Sequence, residues 1–588
     1  MIVPVKELPL EMIEPDSLVI ARGRDPALPT RMDAILFALK RAVFCAQRLA
    51  VDLTRGPSKL ARVESAEFAV AVAVSRTALW SDPRRAEIAM QQGKVHNLRA
   101  AARLLDLTLI PAGATFSFWR QLGRASRQRG FVPGRMLQEG CMVAATGGGL
   151  CQLSNALYDA ALQAGCEIVE RHAHSRLVPG SAALRGRDAT VAWNYVDLRF
   201  RSRADLLLRV QVERDELVVG LFAVDARDRA KDSTIPDGDV PMHAAQSCGS
   251  CGETSCFRHN DEQSGNARRA FVVDEYWTEF DAFIAGERMA RDVLCLPLDG
   301  RRRGLPQYGW STQGFANVGS AVLTTVIRGL TLRLAPQGPA RREAELRAAE
   351  RLARRLARYL APDVTEIVVA QTLLPYLWRD GHLGGRKITV LMTRLPMGEL
   401  QARLDAAARL HPERGTLSDF RADPVLMRAE AEALAAADSI VTPHAEIAAL
   451  FGERAILLDW TEPKARIAHA PGSRRIAFPG PTIARKGAYE LREAARALDL
   501  EVVLLGSELE GEGFWRGVRT SRDTGAGVAA VVQQAIIEDK PRRLLAALAS
   551  GIPVIATREC GLPPQEGLTL IPANDSDALI EALRAAID

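Results

Sequence analysis

Three consecutive glycines shortly before a cysteine constrain this chain more than any other feature. They occupy positions 147–149, and Cys151 follows after one leucine. Glycine lets the backbone turn at positive φ and lets another group approach closely. Apolar residues then recur at i, i+3 and i+4 over 153–164, and Gly165 is placed as a helix C-cap. The sequence therefore predicts a tight turn that leads into a helix with Cys151 in its first turn.

A segment with two histidines follows this helix. His172 and His174 alternate with Ala173, so on a strand both imidazoles point to the same side. The positive end of a helix dipole lowers the pKa of a thiol at the helix start, and an imidazole nearby can take its proton. Cys151 with His172 or His174 is therefore a candidate thiolate–imidazolium pair. The alternative is that Cys151 is a buried, unreactive thiol.

This part of the chain resembles the VanW domain, over roughly residues 68–225. The resemblance rests on four segments: PAGATFSFWRQLG (111–123), GGGLCQLSNALY (147–158), ERHAHS (170–175) and GRDATVAWNYVDLRFR (186–201). The family is named for accessory proteins of vancomycin-resistance clusters. For some members the resemblance implies L,D-transpeptidase-like acyl transfer on peptidoglycan, with Cys151 as acyl acceptor and His172 or His174 as base. Backbone N–H groups of the glycine run would then stabilise the oxyanion.

The length and charge of the chain limit its domain organisation and its partners. With 588 residues the chain is too long for one core, and three or four compact units are expected. The 76 basic and 71 acidic residues nearly balance, which argues against a nucleic-acid partner.

The sequence predicts a cytoplasmic protein without a transmembrane segment. The first 20 residues lack the pattern of a secretory signal, and nine cysteines do not form a disulfide framework. The most apolar stretch, 34–53, is broken by Lys40, Arg41 and Arg48. It predicts an amphipathic helix that packs on the protein, with docking on a membrane surface as the alternative.

A compact group of potential metal ligands lies in a polar linker. Cys248, Cys251, Cys256 and His259 follow the spacing C-x2-C-x4-C-x2-H. Three thiolates and one imidazole suit a closed tetrahedral zinc site. An iron–sulfur cluster is the second interpretation, and free thiols in a loop are the third.

From about residue 271 apolar strands alternate with long helices, which predicts parallel sheets covered by helices. A second unit of the same kind begins near residue 466. Two doubly wound units imply a cleft where ligands bind.

The C-terminal half resembles GT-B glycosyltransferases of the family-4 type, most strongly over 420–588. ADSIVTP, FPGPTIARKGAYEL, VVLLGS and RRLLAALASGIPVIAT carry the resemblance. It implies that Arg485 and Lys486 hold the diphosphate of a nucleotide-sugar donor and that Glu538 lies near the reacting sugar. The family's second glutamate is replaced by Ala546, so binding of the donor ribose must differ or be absent.

Three other histidines are interpreted as structural. His96 lies on a predicted helix, and His444 lies near a helix N-terminus. His382 is predicted in a loop on the cleft side of the first unit, where Gly381, Gly384 and Gly385 would allow an acceptor to approach.

The prediction is an α/β chain: a mixed α+β VanW domain followed by two doubly wound, Rossmann-like units of GT-B type. The expected boundaries are 1–65 (helical extension), 66–227 (VanW domain), 228–270 (metal-binding linker), 271–465 and 466–588 (the two GT-B units). The leading functional hypothesis is sugar transfer from a nucleotide sugar to a cell-envelope acceptor. The alternative is cysteine-dependent acyl transfer on peptidoglycan precursor peptides, with the C-terminal half as a scaffold. A third reading is a non-catalytic recognition module.

Overall fold

The computed structural model describes ten stretches of the chain: residues 31–63, 67–80, 85–138, 141–174, 186–225, 268–336, 339–418, 421–463, 469–523 and 527–587. The described residues fall into two compact units. One contains a long helix with the turn 192–195, and the other contains the remaining elements. Among the described helices, none is both long enough and apolar enough to cross a membrane.

The smaller unit is built on helix α1 (Arg31–Arg55), which confirms the helix predicted over 34–53. The thiol of Cys45 donates to the carbonyl of Trp193 and accepts from the N–H of Asn194. The ring of Phe44 stacks on Tyr195. One side of α1 therefore holds the turn 192–195.

The larger unit begins with a mixed α+β region. Its elements are β1 (Val70–Ala78), α2 (Arg85–Leu105), β2 (Thr108–Ile110), β3 (Thr115–Ser117), α3 (Phe118–Leu122), β4 (Pro133–Gln138), β5 (Cys141–Thr146), α4 (Leu150–Gln163), β6 (Glu167–Glu170), β7 (Arg199–Arg201), β8 (Leu206–Val212) and β9 (Glu216–Ala223).

Antiparallel pairing organises this region. One sheet has the order β1-β9-β8-β2, a second has the order β3-β7-β6, and β4 and β5 form a hairpin. Helices α2 and α4 contact each other and pack on the four-stranded sheet. Leu98, Ala101 and Leu105 share one face of α2 and are buried, as helical spacing requires.

The first doubly wound unit follows. Its elements are β10 (Arg268–Val272), α5 (Thr278–Glu287), β11 (Val293–Leu296), α6 (Gly300–Arg303), β12 (Asn317–Ser320), α7 (Val322–Leu334), α8 (Pro339–Leu356), β13 (Val364–Ala370), α9 (Leu374–Arg379), β14 (Lys387–Leu391), α10 (Met397–Leu410), α11 (Pro424–Ala436), β15 (Ser439–Thr442), α12 (Ala445–Phe451) and β16 (Ala455–Leu457).

The second doubly wound unit is smaller. Its elements are β17 (Arg475–Phe478), α13 (Ala488–Ala497), β18 (Glu501–Leu504), β19 (Arg519–Ser521), β20 (Ala530–Gln533), α14 (Arg542–Ala549), β21 (Val554–Ala556), β22 (Leu568–Leu570) and α15 (Ser576–Ile587).

Both C-terminal sheets are wholly parallel, with the orders β12-β11-β10-β13-β14-β15-β16 and β19-β18-β17-β20-β21-β22. Successive residues of the central strands enter cores on opposite faces, as Ala270 and Phe271 do in β10. Parallel sheets buried on both faces are the Rossmann-like arrangement, so the predicted fold class is confirmed.

An ion pair with a buried carboxylate joins the two doubly wound units. Arg542 at the start of α14 forms two 2.6 Å hydrogen bonds to the carboxylate of Glu279 in α5, which also accepts from the N–H of Thr461. The guanidinium of Arg542 lies over the rings of Trp277 and Trp460. Burial would raise the pKa of Glu279, but Arg542 and the backbone N–H groups hold it below its ordinary value.

The loop between α9 and β14 packs against the N-terminal α+β region. Arg99 of α2 donates from Nε to the carbonyl of Gly384 at 2.7 Å, and the N–H of Gly385 donates to the carbonyl of Glu213. A Cβ at Gly384 would overlap the carbonyl oxygen of Val212. The glycines of this loop therefore allow close approach of another part of the same chain.

We predict that Gly384→Ala destabilises this contact. The added methyl has no room beside the carbonyl of Val212, and overpacking of this kind costs about 1–3 kcal/mol. The midpoint of the first thermal unfolding transition should fall. Gly286→Ala in α5, where a Cβ meets no atom within 4 Å, is the control and should leave the midpoint unchanged or raise it. An unchanged midpoint for Gly384→Ala would contradict the described contact.

Candidate functional site

Cys151 is the second residue of α4, as the glycine run predicted. The N-cap is Gly149, with φ of 102°, and Gly147 has φ of 81°. A Cβ at Gly148 would overlap the carbonyl of Gly134, and one at Gly149 would overlap the side chain of Lys94. The run is therefore required by both conformation and space, and it places the thiol in the first turn of the helix.

The side chain of Asn97 in α2 holds this turn by hydrogen bonds. Its side-chain nitrogen donates to the carbonyls of Val132 and Gly148, both at 2.9 Å, and its side-chain oxygen accepts from the N–H of Val132. Asn97 is fully buried. One amide side chain thus ties the start of α4 to the loop before β4.

His174 is held by Asp188 on two sides. The Nδ1 atom of His174 lies 2.5 Å from Oδ1 of Asp188, and the backbone N–H of His174 donates to Oδ2 at 2.5 Å. The aspartate side chain is only 4% exposed. The carboxylate therefore fixes the ring orientation and leaves Nε2 for the cysteine side.

The segment after Asp188 is bound along α4. The N–H of Ala189 donates to the side chain of Asn155, and Ser154 Oγ donates to the carbonyl of Ala189 at 2.5 Å. Thr190 then places its hydroxyl 3.8 Å from the Cys151 sulfur. These contacts bring Asp188 and Thr190 to the first turn of α4.

The charges of the site favour an ion pair. Burial alone would raise the pKa of Cys151, but the hydrogen bond and charge of His174, with donors from Val191 and Thr190, bring it below its ordinary value. Burial would lower the pKa of His174, but Asp188 and Cys151 raise it to about 10. Burial would raise the pKa of Asp188, but the hydrogen bonds and charge of His174, with the charge of Arg171, hold it below its ordinary value. The geometry therefore supports a thiolate beside an imidazolium.

The two predicted histidines have different positions. The side chain of His172 is about half exposed, and its Nε2 lies 3.2 Å from Glu170, which is not part of the cysteine site. Strand β6 ends at Glu170, so the alternation rule does not extend to residue 174. The structure brings His174, and not His172, to Cys151.

The glycine run supplies fewer free donors than expected. The N–H of Gly147 donates to the carbonyl of Val132, and that of Gly148 donates to the carbonyl of Ala145. The expectation that the run as a whole stabilises an oxyanion is therefore wrong for these two residues, because Val132, directly before β4, and Ala145 of β5 accept from their N–H groups.

A second group of charged residues lies where the strand order of the smaller parallel sheet reverses, between β17 and β20. Lys486 Nζ donates to Glu538 Oε2 at 3.0 Å and to the carbonyl of Ile537 at 2.7 Å. Glu538 also accepts from the side chain of Gln533 and from the N–H of Lys540. Burial would raise the pKa of Glu538, but the charge of Lys486 and these donors lower it. Carboxyl ends at such a reversal are where parallel sheets bind ligands.

Arg485 and Ala546 complete the residues named from the sequence in this unit. Arg485 lies beside Lys486 in a short 3-10 turn, and its carbonyl accepts from the N–H of Ile536. Ala546 is buried in α14, so its position offers no carboxylate.

The first parallel sheet also has polar residues at its point of reversal, which the sequence reasoning missed. Asp274 follows β10 and binds Arg328 at 2.5 Å and the hydroxyl of Thr372, after β13, at 3.0 Å. Its position directly after an apolar strand was the signal that could have found it.

The other histidines contact protein groups. His382 Nδ1 lies 2.9 Å from Arg103, in the loop bound to the α+β region. This loop enters β14 at its amino end, so the expectation that it lies on the cleft side is wrong. His96 Nε2 lies 2.9 Å from the carbonyl of Gly130. His444 is the N-cap of α12, and its Nε2 lies 3.1 Å from the carbonyl of Glu538.

The predicted metal ligands Cys248, Cys251, Cys256 and His259 lie outside the described residues. Among the residues that are described, no three His, Cys, Asp or Glu side chains are grouped so as to hold a metal ion. The metal site therefore stays a prediction from the sequence.

Two curated proteins are similar to the α+β region. The vancomycin B-type resistance protein VanW of Enterococcus faecalis is 32% identical over 157 residues, 26% of this chain and 57% of that protein. The uncharacterized protein YoaR of Bacillus subtilis is 32% identical over 136 residues, 23% of this chain and 44% of that protein. The chain thus spans about half the length of these relatives.

Solved structures resemble the chain weakly. The lipopolysaccharide outer core galactosyltransferase WaaB, in its apo form, is 13% identical with a TM-score of 0.29, covering 54% of this chain and 90% of WaaB. The Anabaena protein HepE in complex with UDP and glucose is 13% identical with a TM-score of 0.32, covering 55% of this chain and 90% of HepE. At such TM-scores these similarities carry no argument, and the account of the C-terminal half rests on its own two parallel sheets.

A family profile gives the remaining comparison. The profile described as VanW like protein matches residues 93–222, a segment that contains Cys151, His174 and Asp188. The relative from Enterococcus faecalis carries the same family name. Residues 93–222 of this chain therefore form a VanW domain.

Proposed function

We propose that the VanW domain catalyses cysteine-dependent acyl transfer, with Cys151 as nucleophile, His174 as acid and base, and Asp188 as the residue that orients His174. The observation that carries the proposal is the 2.5 Å contact between Asp188 Oδ1 and His174 Nδ1 beside a thiol in the first turn of a helix. A nucleophile, a base and an orienting carboxylate are the three groups that acyl transfer requires.

The reaction has two half-reactions. The Cys151 thiolate attacks the carbonyl carbon of the donor amide, so a carbon–sulfur bond forms. The carbon–nitrogen bond then breaks, and the His174 imidazolium gives its proton to the leaving amine. A second amine or water attacks the thioester, passes a proton to His174 and releases Cys151 as the thiolate. The proton that His174 gives to the leaving amine is replaced by the proton of the attacking amine or water, so the cycle ends with the ion pair it began with.

The backbone N–H of Cys151 is the donor we assign to the oxyanion. It lies in the first turn of α4, where N–H groups have no intrahelical acceptor. This N–H points along the positive end of the helix, which favours the negative charge that develops on the carbonyl oxygen.

The donor we propose is a peptidoglycan precursor peptide, on the strength of the VanW family match. The test is intact mass and peptide mapping after incubation of the full chain with stem peptides. A thioester adduct on Cys151 that hydroxylamine removes is the expected result, with no adduct in Cys151→Ala. Adduct formation elsewhere, or none with any stem peptide while Cys151 alkylates rapidly, would exclude this donor class.

We predict that Cys151 alkylates faster than an ordinary thiol at pH 7. Its pKa lies below the ordinary value, so a larger fraction of Cys151 than of an ordinary thiol is thiolate at pH 7, and this fraction falls as pH falls through the lowered pKa. In His174→Gln the hydrogen bond and charge of the imidazole are lost, and only the donors of Val191 and Thr190 still oppose burial. The pKa of Cys151 therefore rises, and the rate with iodoacetamide at pH 7 should fall roughly tenfold or more. Peptide-level mass spectrometry measures the rate over pH. Cys166, whose pKa burial raises to about 11, is the internal control and should stay unreactive. Equal rates for Cys151 and Cys166 would contradict the ion pair.

We predict that Asp188→Asn lowers acyl-transfer turnover by about 10²–10⁴-fold, since the imidazolium loses its carboxylate and its fixed tautomer. The midpoint of the Cys151 alkylation profile should also move to higher pH, which a merely structural role would not cause. Asp159→Asn is the control, because Asp159 lies on the same helix as Cys151 but pairs with Arg187. A profile unchanged in Asp188→Asn would remove Asp188 from the mechanism.

We also propose that the second doubly wound unit binds the diphosphate of a nucleotide-sugar donor at Lys486. This is a separate site, favoured by the position of Lys486 and Glu538 at the reversal between β17 and β20. A diphosphate would take the lysine from Glu538, because the two anions compete for one ammonium group.

This competition predicts opposite effects on UDP binding for substitutions at Lys486 and at Glu538. Lys486→Met should weaken UDP binding by about tenfold or more, since a charge-assisted contact is lost. Glu538→Gln should strengthen it, because the competing carboxylate is gone. Isothermal titration calorimetry measures both constants. Arg522→Ala, which breaks an exposed pair with Glu508 on the same unit, is the control and should change neither. Absence of binding for UDP, GDP and ADP alike would refute the nucleotide site.

A further inference from the structure

Five basic side chains lie together where α2 of the VanW domain packs on the loop 380–386, between α9 and β14. His96, Arg99 and Arg103 share one face of α2, at i, i+3 and i+7. His382 and Arg386 belong to the loop. Arg103 Nη1 lies 2.9 Å from His382 Nδ1, and Arg386 Nη1 donates to the carbonyl of His382. These five residues are called the basic cluster.

Arg99 and Arg386 form the buried part of the basic cluster, with exposed fractions of 4% and 3%. Arg386 is bound by protein groups, because Nε donates to the carbonyl of Val364 at 2.8 Å and Nη2 to that of Ala361 at 3.2 Å. Arg99 donates from Nε alone, to the carbonyl of Gly384. Its two terminal amino groups have no hydrogen-bond partner in the described part of the chain. Buried donors are normally paired, so Arg99 indicates a missing partner.

The basic cluster has no neutralising carboxylate among the residues that the structure describes. None of its three arginines forms an ion pair with another described residue. Asp380 and Asp363 act on these arginines only through their charge. Asp380 pairs instead with Arg354, and Asp363 pairs with Arg268. Arginine keeps its proton in proteins, so three positive charges persist in the cluster.

The charges of the basic cluster oppose one another. Burial, together with the charge of neighbouring arginines, lowers the pKa of Arg386 to about 10 and that of His382 to about 3. The pKa of Arg99 is lowered by the same two causes. An anion held among these groups would offset the repulsion, because an opposite charge nearby favours the protonated form.

His96 supplies a second unpartnered atom. Its Nε2 lies 2.9 Å from the carbonyl of Gly130, so Nε2 holds a proton and donates it. The Nδ1 atom is buried and has no hydrogen-bond partner among the described residues. Burial and the charges of the three arginines lower the pKa of His96 to about 4, which places its ring beside them. An anion in the cluster would give Nδ1 a partner once the ring is protonated.

We propose that the basic cluster binds a phosphate group between α2 and the loop 380–386, as inorganic phosphate or as the phosphate of a larger ligand. A guanidinium can donate two parallel hydrogen bonds to an oxyanion, and Arg99 has two terminal amino groups to donate. A phosphate dianion balances two of the three positive charges, whereas a carboxylate balances one. His96, Arg103 and His382 are partly exposed, so the anion reaches the cluster from their side.

This inference is independent of the acyl-transfer and nucleotide-binding proposals, because neither Cys151 nor Lys486 takes part. Its ligand lies between two parts of the fold, since α2 belongs to the VanW domain and the loop 380–386 to the first doubly wound unit. Phosphate that offsets the repulsion between these elements should stabilise their packing.

The test is equilibrium dialysis of the full chain against radiolabelled inorganic phosphate, in chloride buffer of constant ionic strength. One phosphate per chain should bind at this site, and Arg103→Met should weaken its binding roughly tenfold or more, since hydrogen bonds to a charged group are lost. Lys486→Met should keep this site, which separates it from the proposed diphosphate site. Arg347→Met is the control and should bind as the unmodified chain does, because Arg347 is exposed on α8 and pairs with Glu343.

Competition identifies the source of the phosphate group. Displacement of the label by glycerol 3-phosphate at equal or lower concentration than unlabelled phosphate indicates a phosphate ester as ligand. Displacement by unlabelled phosphate and sulfate alone indicates a free anion. Either result supports the proposal.

A second measurement uses the unmodified chain. Phenylglyoxal modifies accessible guanidinium groups, and peptide mapping gives the rate at each arginine. Phosphate should slow the modification of Arg103 and leave that of Arg347 unchanged. Three results would overturn the proposal: no saturable phosphate binding by the unmodified chain, equal affinity in Arg103→Met, or equal modification of Arg103 with and without phosphate.

Discussion

The contact between Asp188 and His174 is the interaction on which the cysteine site depends. Without the carboxylate, burial would keep the imidazole neutral, and the buried thiol beside it would keep its proton. With the carboxylate, the pKa of His174 rises and that of Cys151 falls. The proton therefore moves from the sulfur to the imidazole, and a thiolate–imidazolium pair forms. Ser154 and Asn155 of α4 support this contact by binding the backbone after Asp188. The helix that carries the nucleophile therefore also anchors the residue that orients the base.

The sequence predicts the parts of this site that depend on neighbouring residues, but not the parts that depend on residues far apart along the chain. Cys151 at the start of a helix follows from the three glycines and the apolar spacing, both local signals. The selection of His174 over His172 does not, because it comes from an aspartate 14 residues later that no periodicity connects to the histidine. Asp188 lies within the segment 186–201 that resembles the VanW domain, so the resemblance contained the residue without assigning its role.

In the C-terminal half, strand and helix alternation was enough to predict two parallel sheets, since both strand faces are apolar. The neighbours of each loop were not predictable. The glycines at 381, 384 and 385 indicated close approach, and close approach occurs, but to the α+β region and not to a substrate. A glycine indicates that another group lies too close for a Cβ, and only the fold shows which group that is.

The packing of Gly384 against Val212 has a practical meaning for how this chain can be divided. Arg99 is buried and donates to the carbonyl of Gly384, so its guanidinium depends on a residue from the neighbouring unit. A fragment ending after β9 would expose that cation together with the surface that covers it. The VanW domain is therefore packed on the first doubly wound unit, and its chemistry is best assayed on the full-length chain.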